Sequence, residues 1–325
     1  MKKTPTTLPA TLRLPTPLGG SVARTVGGPA DAPIVVLDSG LGGLTVVRAL
    51  RDALPAEDVV YFGDTARLPY GSKAAATVGQ YVCQIIAYLR PLNPRHVVLA
   101  CNTATALAMP AAAAAFPDLT ITGVIEPGAR AAAAAAGTRE RPVIGVLATE
   151  ATIRSGAYER AILRRRHHAR LLLRPAPLLA PIVEEGRACD DPLVRLAVDQ
   201  YVGPMVERGM DVLVLGCTHY PLLRPAVEWA CGPKVKVIDG AQQSAQDVVR
   251  RLRAAGLLRP ADAAAADGSP EPVGGFKCFV TDDPARFARL AGRFLGRPVL
   301  PPTLVDPDAL YRQDAPAARR LRPAG

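Results

Sequence analysis

The sequence predicts an α/β protein with parallel sheets, and three observations carry that prediction. Short apolar runs end abruptly in small polar residues, as in DVLVLGCTHYPLL (Asp211 to Leu223) and HVVLACNTATALAMP (His96 to Pro110). Each run is long enough for a strand buried on both faces. The phrasing also repeats: IVVLDSGLGGLTVV (Ile34 to Val47) and VIGVLATEATIRSG (Val143 to Gly156) are both apolar strands ending in small hydroxyl residues. The chain therefore reads as two similar α/β units, each carrying one cysteine at a strand end, Cys101 and Cys217.

Composition bounds the rest. A chain of 325 residues that is 49% hydrophobic has ample core for one large or two ordinary domains. No apolar run approaches the roughly 18 residues of a membrane span. Met1-Lys2-Lys3 resembles the start of an export signal, but Thr4 to Gly20 is broken by Pro5, Pro9, Pro15 and Pro17, so a cytoplasmic location is expected. The net charge of +10 is mostly dispersed arginine. Its one cluster, Arg164-Arg165-Arg166-His167-His168, has no interleaved aromatics for base stacking, which argues against nucleic acid and for a solvated helix face.

Taken in order, 1–32 is rich in Pro, Thr and Gly and reads as a disordered extension. Ile34 to Leu37 form the first strand, and a glycine-rich turn from Asp38 leads into a helix with Leu44, Val47 and Leu50 on one face. The turn lacks the Lys-Ser/Thr of a phosphate loop, so its N–H groups suit a carboxylate better than a nucleotide. Val59 to Phe62 follow as a strand, then the loop Gly63 to Gly71, a long helix from Ala75 to Leu89, and the Cys101 strand. Ile121 to Val124 make a short strand and Ala129 to Ala136 a helix. In the second unit, strands are expected at Val143 to Leu147, Leu171 to Leu173, Val212 to Leu215 and Val235 to Ile238. A helix from Ala245 to Leu258, a loop from Arg259 to Gly275, a strand from Phe276 to Thr281 and a helix from Ala285 to Leu295 complete the reading. From Arg297 onward Pro and Arg dominate, and order is expected to fade.

Six scattered cysteines with no CxxC and no histidine at ligand spacing exclude a recognisable metal site. A disulfide requires an oxidising compartment, which the missing export signal disfavours. Cys217 with His219 fits an activated nucleophile, but that leaves Cys101 unexplained. Two thiols facing one ligand fit proton exchange at a stereocentre, one removing a proton and the other delivering one to the opposite face. Candidate helpers are Asp38 for Cys101, and His219 with Glu184 for Cys217. Glu185, next to Glu184, is an alternative.

The stretches LDSGLGGLTVVRAL, YFGDTARLPYGSK, ACNTATA, IEPG, IGVLATEATIRSGAY, VLGCTHYPLL and FVTDDPARFARLAGRFLG, in this order over most of residues 34 to 296, closely resemble those of glutamate racemases. The resemblance implies two pseudo-symmetric flavodoxin-like domains with the active site at their interface. It also implies racemisation of L- and D-glutamate for peptidoglycan synthesis, without pyridoxal phosphate, metal or other cofactor. By matching positions, Cys101 and Cys217 resemble the acid/base thiols, with Asp38, Glu184 and His219 beside them. Asp38, Ser39, Pro69, Tyr70, Gly71, Asn102, Thr103, Thr149, Thr152, Thr218 and His219 resemble the substrate-holding set. Expected divisions are 33–126 with 240–300 for the first domain, 127–239 for the second, and 301–325 for a tail. A homodimer is expected. Racemases of the same superfamily acting on aspartate or hydantoins are the rival reading, and binding to DNA gyrase, reported for some glutamate racemases, is a third. DTARLPYG and CTHYPLL favour glutamate. Ala176-Pro177 departs from the Cys-Pro common among relatives.

Overall fold

A computed structural model of the chain describes residues 32–259 and 274–311. The extension expected over 1–32 therefore lies outside the described residues except for its last position. So do the middle of the 259–275 loop and the end of the tail.

The first series of elements is β1 (Ile34–Asp38), α1 (Leu44–Ala53), β2 (Val59–Gly63), α2 (Ala75–Leu89), β3 (His96–Leu99), α3 (Asn102–Ala115) and β4 (Ile121–Gly123). Helix α4 (Ile125–Ala135) leads to β5 (Val143–Ala148), α5 (Glu150–Arg154), α6 (Ala157–Leu163), β6 (Arg170–Pro175), α7 (Leu179–Glu184), α8 (Pro192–Glu207), β7 (Val212–Gly216), α9 (Arg224–Cys231) and β8 (Lys236–Asp239). Helix α10 (Gly240–Ala254) returns the chain to β9 (Phe276–Val280), α11 (Pro284–Leu295), β10 (Thr303–Leu304) and α12 (Pro307–Tyr311).

These strands form two sheets, in the orders β10-β9-β2-β1-β3-β4 and β6-β5-β7-β8, with every pairing parallel. The order β2-β1-β3-β4 recurs as β6-β5-β7-β8, which is the duplication the repeated phrases predict. Val36 stands opposite Tyr61 and Val98 in the first sheet, as Val146 stands opposite Leu173 and Val214 in the second. In each unit the cysteine-bearing strand is the neighbour of the strand that opens the unit.

Parallel strands need crossover helices, and these cover the sheets, so the central strands β1, β2, β3 and β7 are buried along their whole length. Leu44, Val47 and Leu50 of α1 are fully buried, as their three-residue spacing predicts. One core cluster draws side chains from both units, including Val36, Leu44, Leu215 and Phe294. Burying each such side chain is worth roughly 1.5–3 kcal/mol, so the inter-unit contact has an apolar foundation.

Several boundaries differ from expectation for identifiable reasons. Helix α4 begins at Ile125 and runs through Pro127, because a proline in the first turn has no intrahelical N–H to lose. Helix α10 begins five residues before Ala245, where Asp239 caps it by accepting the Ala241 N–H at 2.8 Å. Order also continues past Arg297. β10 pairs with β9, and Val305 and Leu310 are buried against the first sheet, so apolar contacts hold a segment whose prolines and arginines suggested otherwise.

Candidate active site

The carboxyl ends of β1, β3, β5 and β7 point into one crevice between the sheets, where parallel α/β architecture places ligands. Direct contacts join the two units there. Thr103, just after β3, lies 2.9 Å from the Thr149 hydroxyl and 3.2 Å from that of Thr152, both beyond β5. Thr149 and Thr152 are 2.9 Å apart, closing a triangle of hydroxyls. Tyr158 donates its hydroxyl to Asn102 Oδ1 at 2.7 Å. The Thr45 hydroxyl of α1, which donates to the Gly42 carbonyl at 2.9 Å, lies 3.4 Å from the Thr218 carbonyl.

Cys101 is the N-cap of α3, and its sulfur accepts the Ala104 N–H at 3.4 Å and the Ser39 hydroxyl at 3.6 Å. Burial, and then the nearby Asp38 charge, push this thiol up to about 12 against those two hydrogen bonds. Donors and a helix N-terminus aimed at the sulfur are what a transient thiolate needs. Asp38 is itself buried. Its Oδ2 accepts the Gly40 N–H at 2.9 Å, while Oδ1 has no hydrogen-bond partner among the described residues. Burial raises the Asp38 pKa, opposed by the Gly40 hydrogen bond and the charge of His219. Asp38 raises the Cys101 pKa through its charge, and the side-chain hydroxyl that reaches the sulfur is that of Ser39.

Cys217 has a different environment. Its sulfur lies 3.8 Å from His219 Nδ1, and His219 Nε2 lies 3.1 Å from Glu184 Oε1. Burial would lower the imidazole pKa, but the hydrogen bonds to Cys217 and Glu184 outweigh it and lift the group to about 10. The raised value favours the imidazolium, the form of the ring that can donate through both nitrogens. Glu184 is held below the usual carboxylate range by the His219 hydrogen bond, against its partial burial, with the charges of His219 and Arg286 adding to the effect. Of the two adjacent glutamates, Glu184 reaches His219 and Glu185 pairs with Arg187.

The remaining expected residues are distributed unevenly. Gly71 packs against Thr149, where an added β-carbon would lie 3.2 Å from the Thr149 Cβ. Tyr70 is buried beside Tyr81, and its hydroxyl donates to Asp64, which also receives Arg67 and Thr281. The Tyr70 hydroxyl thus donates its proton within its own loop, and Pro69 lies just before it at the start of the turn Tyr70–Ser72. Thr218 is buried beside His219. Tyr158, which fixes Asn102, closes the IGVLATEATIRSGAY stretch but was not singled out by sequence; an aromatic among apolar residues reads as core until its hydroxyl is seen to have a partner.

A family model described as Asp/Glu/Hydantoin racemase matches residues 39–248. The glutamate racemase of Geobacter metallireducens is 44% identical over 263 residues, covering 81% of this chain and 92% of its own. Among solved structures, glutamate racemase from Thermus thermophilus in complex with β-chloro-D-alanine superposes with a TM-score of 0.73 at 39% identity, over 86% of this chain and 99% of that one. The enzyme from Francisella tularensis in complex with D-glutamate gives 0.75 at 30% identity, over 85% and 98%. The chain belongs to the Asp/Glu/hydantoin racemase family. Its relatives at this level of identity are glutamate racemases, and it is an amino-acid racemase.

Proposed function

We propose that the chain interconverts L- and D-glutamate by two-thiol acid/base chemistry without a cofactor, supplying D-glutamate for peptidoglycan synthesis. The observation that carries this reading is the pair of buried cysteines at corresponding strand ends of two repeated units, each with its own proton-handling partners. In this reading the units comprise 33–126 with 240–300, to which the paired segment 303–311 adds, and 127–239, and the chain works as a homodimer.

In one direction Cys217, as thiolate, takes the Cα proton, and Cys101, as thiol, delivers its proton to the opposite face. The reverse direction exchanges the roles. The His219 imidazolium, anchored by Glu184, stabilises negative charge on Cys217; the Ser39 hydroxyl and the Ala104 N–H do the same for Cys101. The unpartnered Asp38 Oδ1 receives the substrate ammonium, and the hydroxyls of Thr103, Thr149 and Thr152, with Asn102 and Thr218, receive its carboxylates.

Exchange of solvent deuterium into Cα of L- and D-glutamate tests this, with aspartate alongside and with Cys101→Ala and Cys217→Ala as variants. Racemisation of glutamate with label incorporation, lost in both variants, is the expected result. Racemisation that survives loss of either thiol overturns the mechanism, and activity confined to aspartate overturns the substrate.

A further inference from the structure

Glu184 and His219 both belong to the second series of elements, yet side chains that hold them come from α11, which follows β9 of the six-stranded sheet. Arg286, Arg293 and Phe294 are separated by seven and eight positions, so they share one side of that helix. Phe294 is buried and sets its ring edge-on to the His219 imidazole, with centroids 5.3 Å apart and an interplanar angle of 82°. Arg293 donates from Nη1 to the Val183 carbonyl at 2.9 Å, in the last turn of α7. A β-carbon on Gly186, just beyond that turn, would lie 3.0 Å from the same nitrogen. Arg286 Nη2 lies 3.6 Å from Glu184 Oε2.

Helix α7 spans only Leu179–Glu184 and cannot hold its own shape by propagation. Its terminal carbonyls need donors, and a cation there complements the helix dipole. The Val183 carbonyl already accepts the Gly186 N–H at 3.1 Å; Arg293 adds a second donor and a cation from across the inter-unit boundary, one residue before the carboxylate that anchors His219.

We infer that Arg293 is a positioning residue which, with Phe294 and Arg286, ties the end of α7 to α11 across the inter-unit boundary and so fixes the Glu184–His219 pair. The consequence is one-sided: the tie acts on the Cys217 side of the crevice, and no counterpart residue of α11 touches Cys101 or Ser39 among the contacts described. The inference rests on the reading that Cys217 exchanges a proton with substrate.

The groups facing His219 are Cys217 on its own loop, Glu184 on α7 and Asp38 at the end of β1, with Arg286 and Arg293 flanking Glu184 from α11. A loosened Glu184 supports the imidazolium less, so His219 gives up its proton at lower pH. The test uses the full chain with Arg293→Met, which keeps most of the stem and removes the donor, and Arg293→Lys, which restores a donor. The ring signals of the four histidines are titrated by NMR, and that of His219 is assigned by its loss in His219→Gln. For Arg293→Met we expect kcat on glutamate to fall about three- to tenfold with KM within about twofold. The His219 titration and the alkaline limb of kcat/KM should both move to lower pH by about half a unit or more, and Arg293→Lys should recover most of each change. A fall in kcat without movement of the titration, or no change in either, overturns the inference. A His219 titration that moves in a protein showing no glutamate racemisation upholds the tie and overturns the substrate assignment.

Discussion

Gly42 and Thr218 approach so closely that a β-carbon on Gly42 would stand 2.0 Å from the Thr218 Oγ1 and 2.7 Å from His219 Nδ1. Gly42 has no left-handed backbone, so an alanine there carries no conformational strain of its own, and its whole cost is contact. The glycine-rich turn of the first unit is thin where it meets the Cys-Thr-His segment of the second. Gly42→Ala should push Thr218 and His219 away from Cys217. We expect a loss of about 1–3 kcal/mol in stability by denaturant unfolding, the usual range for overpacking. With His219 displaced, kcat/KM should fall by roughly tenfold or more, each factor of ten corresponding to about 1.4 kcal/mol of transition-state stabilisation. Unchanged unfolding and unchanged kinetics would mean that the turn yields freely, and that close packing of the two units there has no bearing on the chemistry.

The hydroxyl triangle makes a separable prediction. Thr149→Val replaces one hydroxyl with a methyl of similar shape, leaving Thr103 and Thr152 within reach of each other. A neutral hydrogen bond to substrate is worth about 0.5–1.5 kcal/mol net, more when the acceptor is charged. We expect KM for glutamate to rise about three- to tenfold with a smaller change in kcat, because in the proposed reading the hydroxyl only holds a carboxylate and acts equally in ground and transition states. Initial-rate kinetics in both directions decide it. A fall in kcat at constant KM would move Thr149 from holding the substrate to assisting the proton transfer.

Much of this arrangement is legible in the sequence because parallel α/β architecture couples pattern to place. An apolar run that ends in polar residues marks both a buried strand and the rim of the crevice, and so Cys101, Cys217, Thr149 and Asp38 could be placed there before any contact was known. Long-range pairings were not legible. Nothing in the spacing of Phe294 or Arg293 reveals that α11 reaches back to α7, since an amphipathic helix shows which face is buried but not against what. The hydroxyl of Tyr70 was equally illegible: its donation to Asp64, beside Arg67, joins residues that no spacing links. Helix α3 went unassigned because its alanine-rich sequence, with Pro110 inside it, has too little contrast between its faces to register as periodic.

His219 links the site to alkaline pH. Its folded pKa lies at about 10, above the ordinary histidine value near 6.5. The folded chain therefore keeps a proton that the unfolded chain releases. Its contribution to stability is complete below the unfolded value and is lost as pH rises through about 10. Two measurements follow. The kcat/KM of the unmodified protein should decline as pH approaches 10, where the imidazolium is lost, and the stability of His219→Gln should depend less on pH across the interval from about 6.5 to 10 than that of the unmodified protein. Identical stability slopes for the two proteins would show that His219 is not held as a cation in the folded state.

His96 gives the opposite sign at acid pH, far from the thiols. It begins β3, is buried, and lies with Nε2 2.9 Å from the Thr122 hydroxyl on β4. Burial, followed by the charge of Arg251, lowers its pKa to about 4. Between the ordinary value near 6.5 and that figure, the unfolded chain binds a proton which the folded chain refuses, so stability falls as pH drops through this window. At 1.36 kcal/mol per pH unit the full loss is about 3 kcal/mol. His96→Gln keeps an amide that can pair with Thr122 and has nothing to titrate. Denaturant midpoints at pH 7 and pH 4.5 should therefore separate widely in the unmodified protein and less in the variant. Carboxylates titrate in both proteins alike, so the difference between the two pH dependences isolates His96, and equal dependences would exclude it as a source of acid sensitivity.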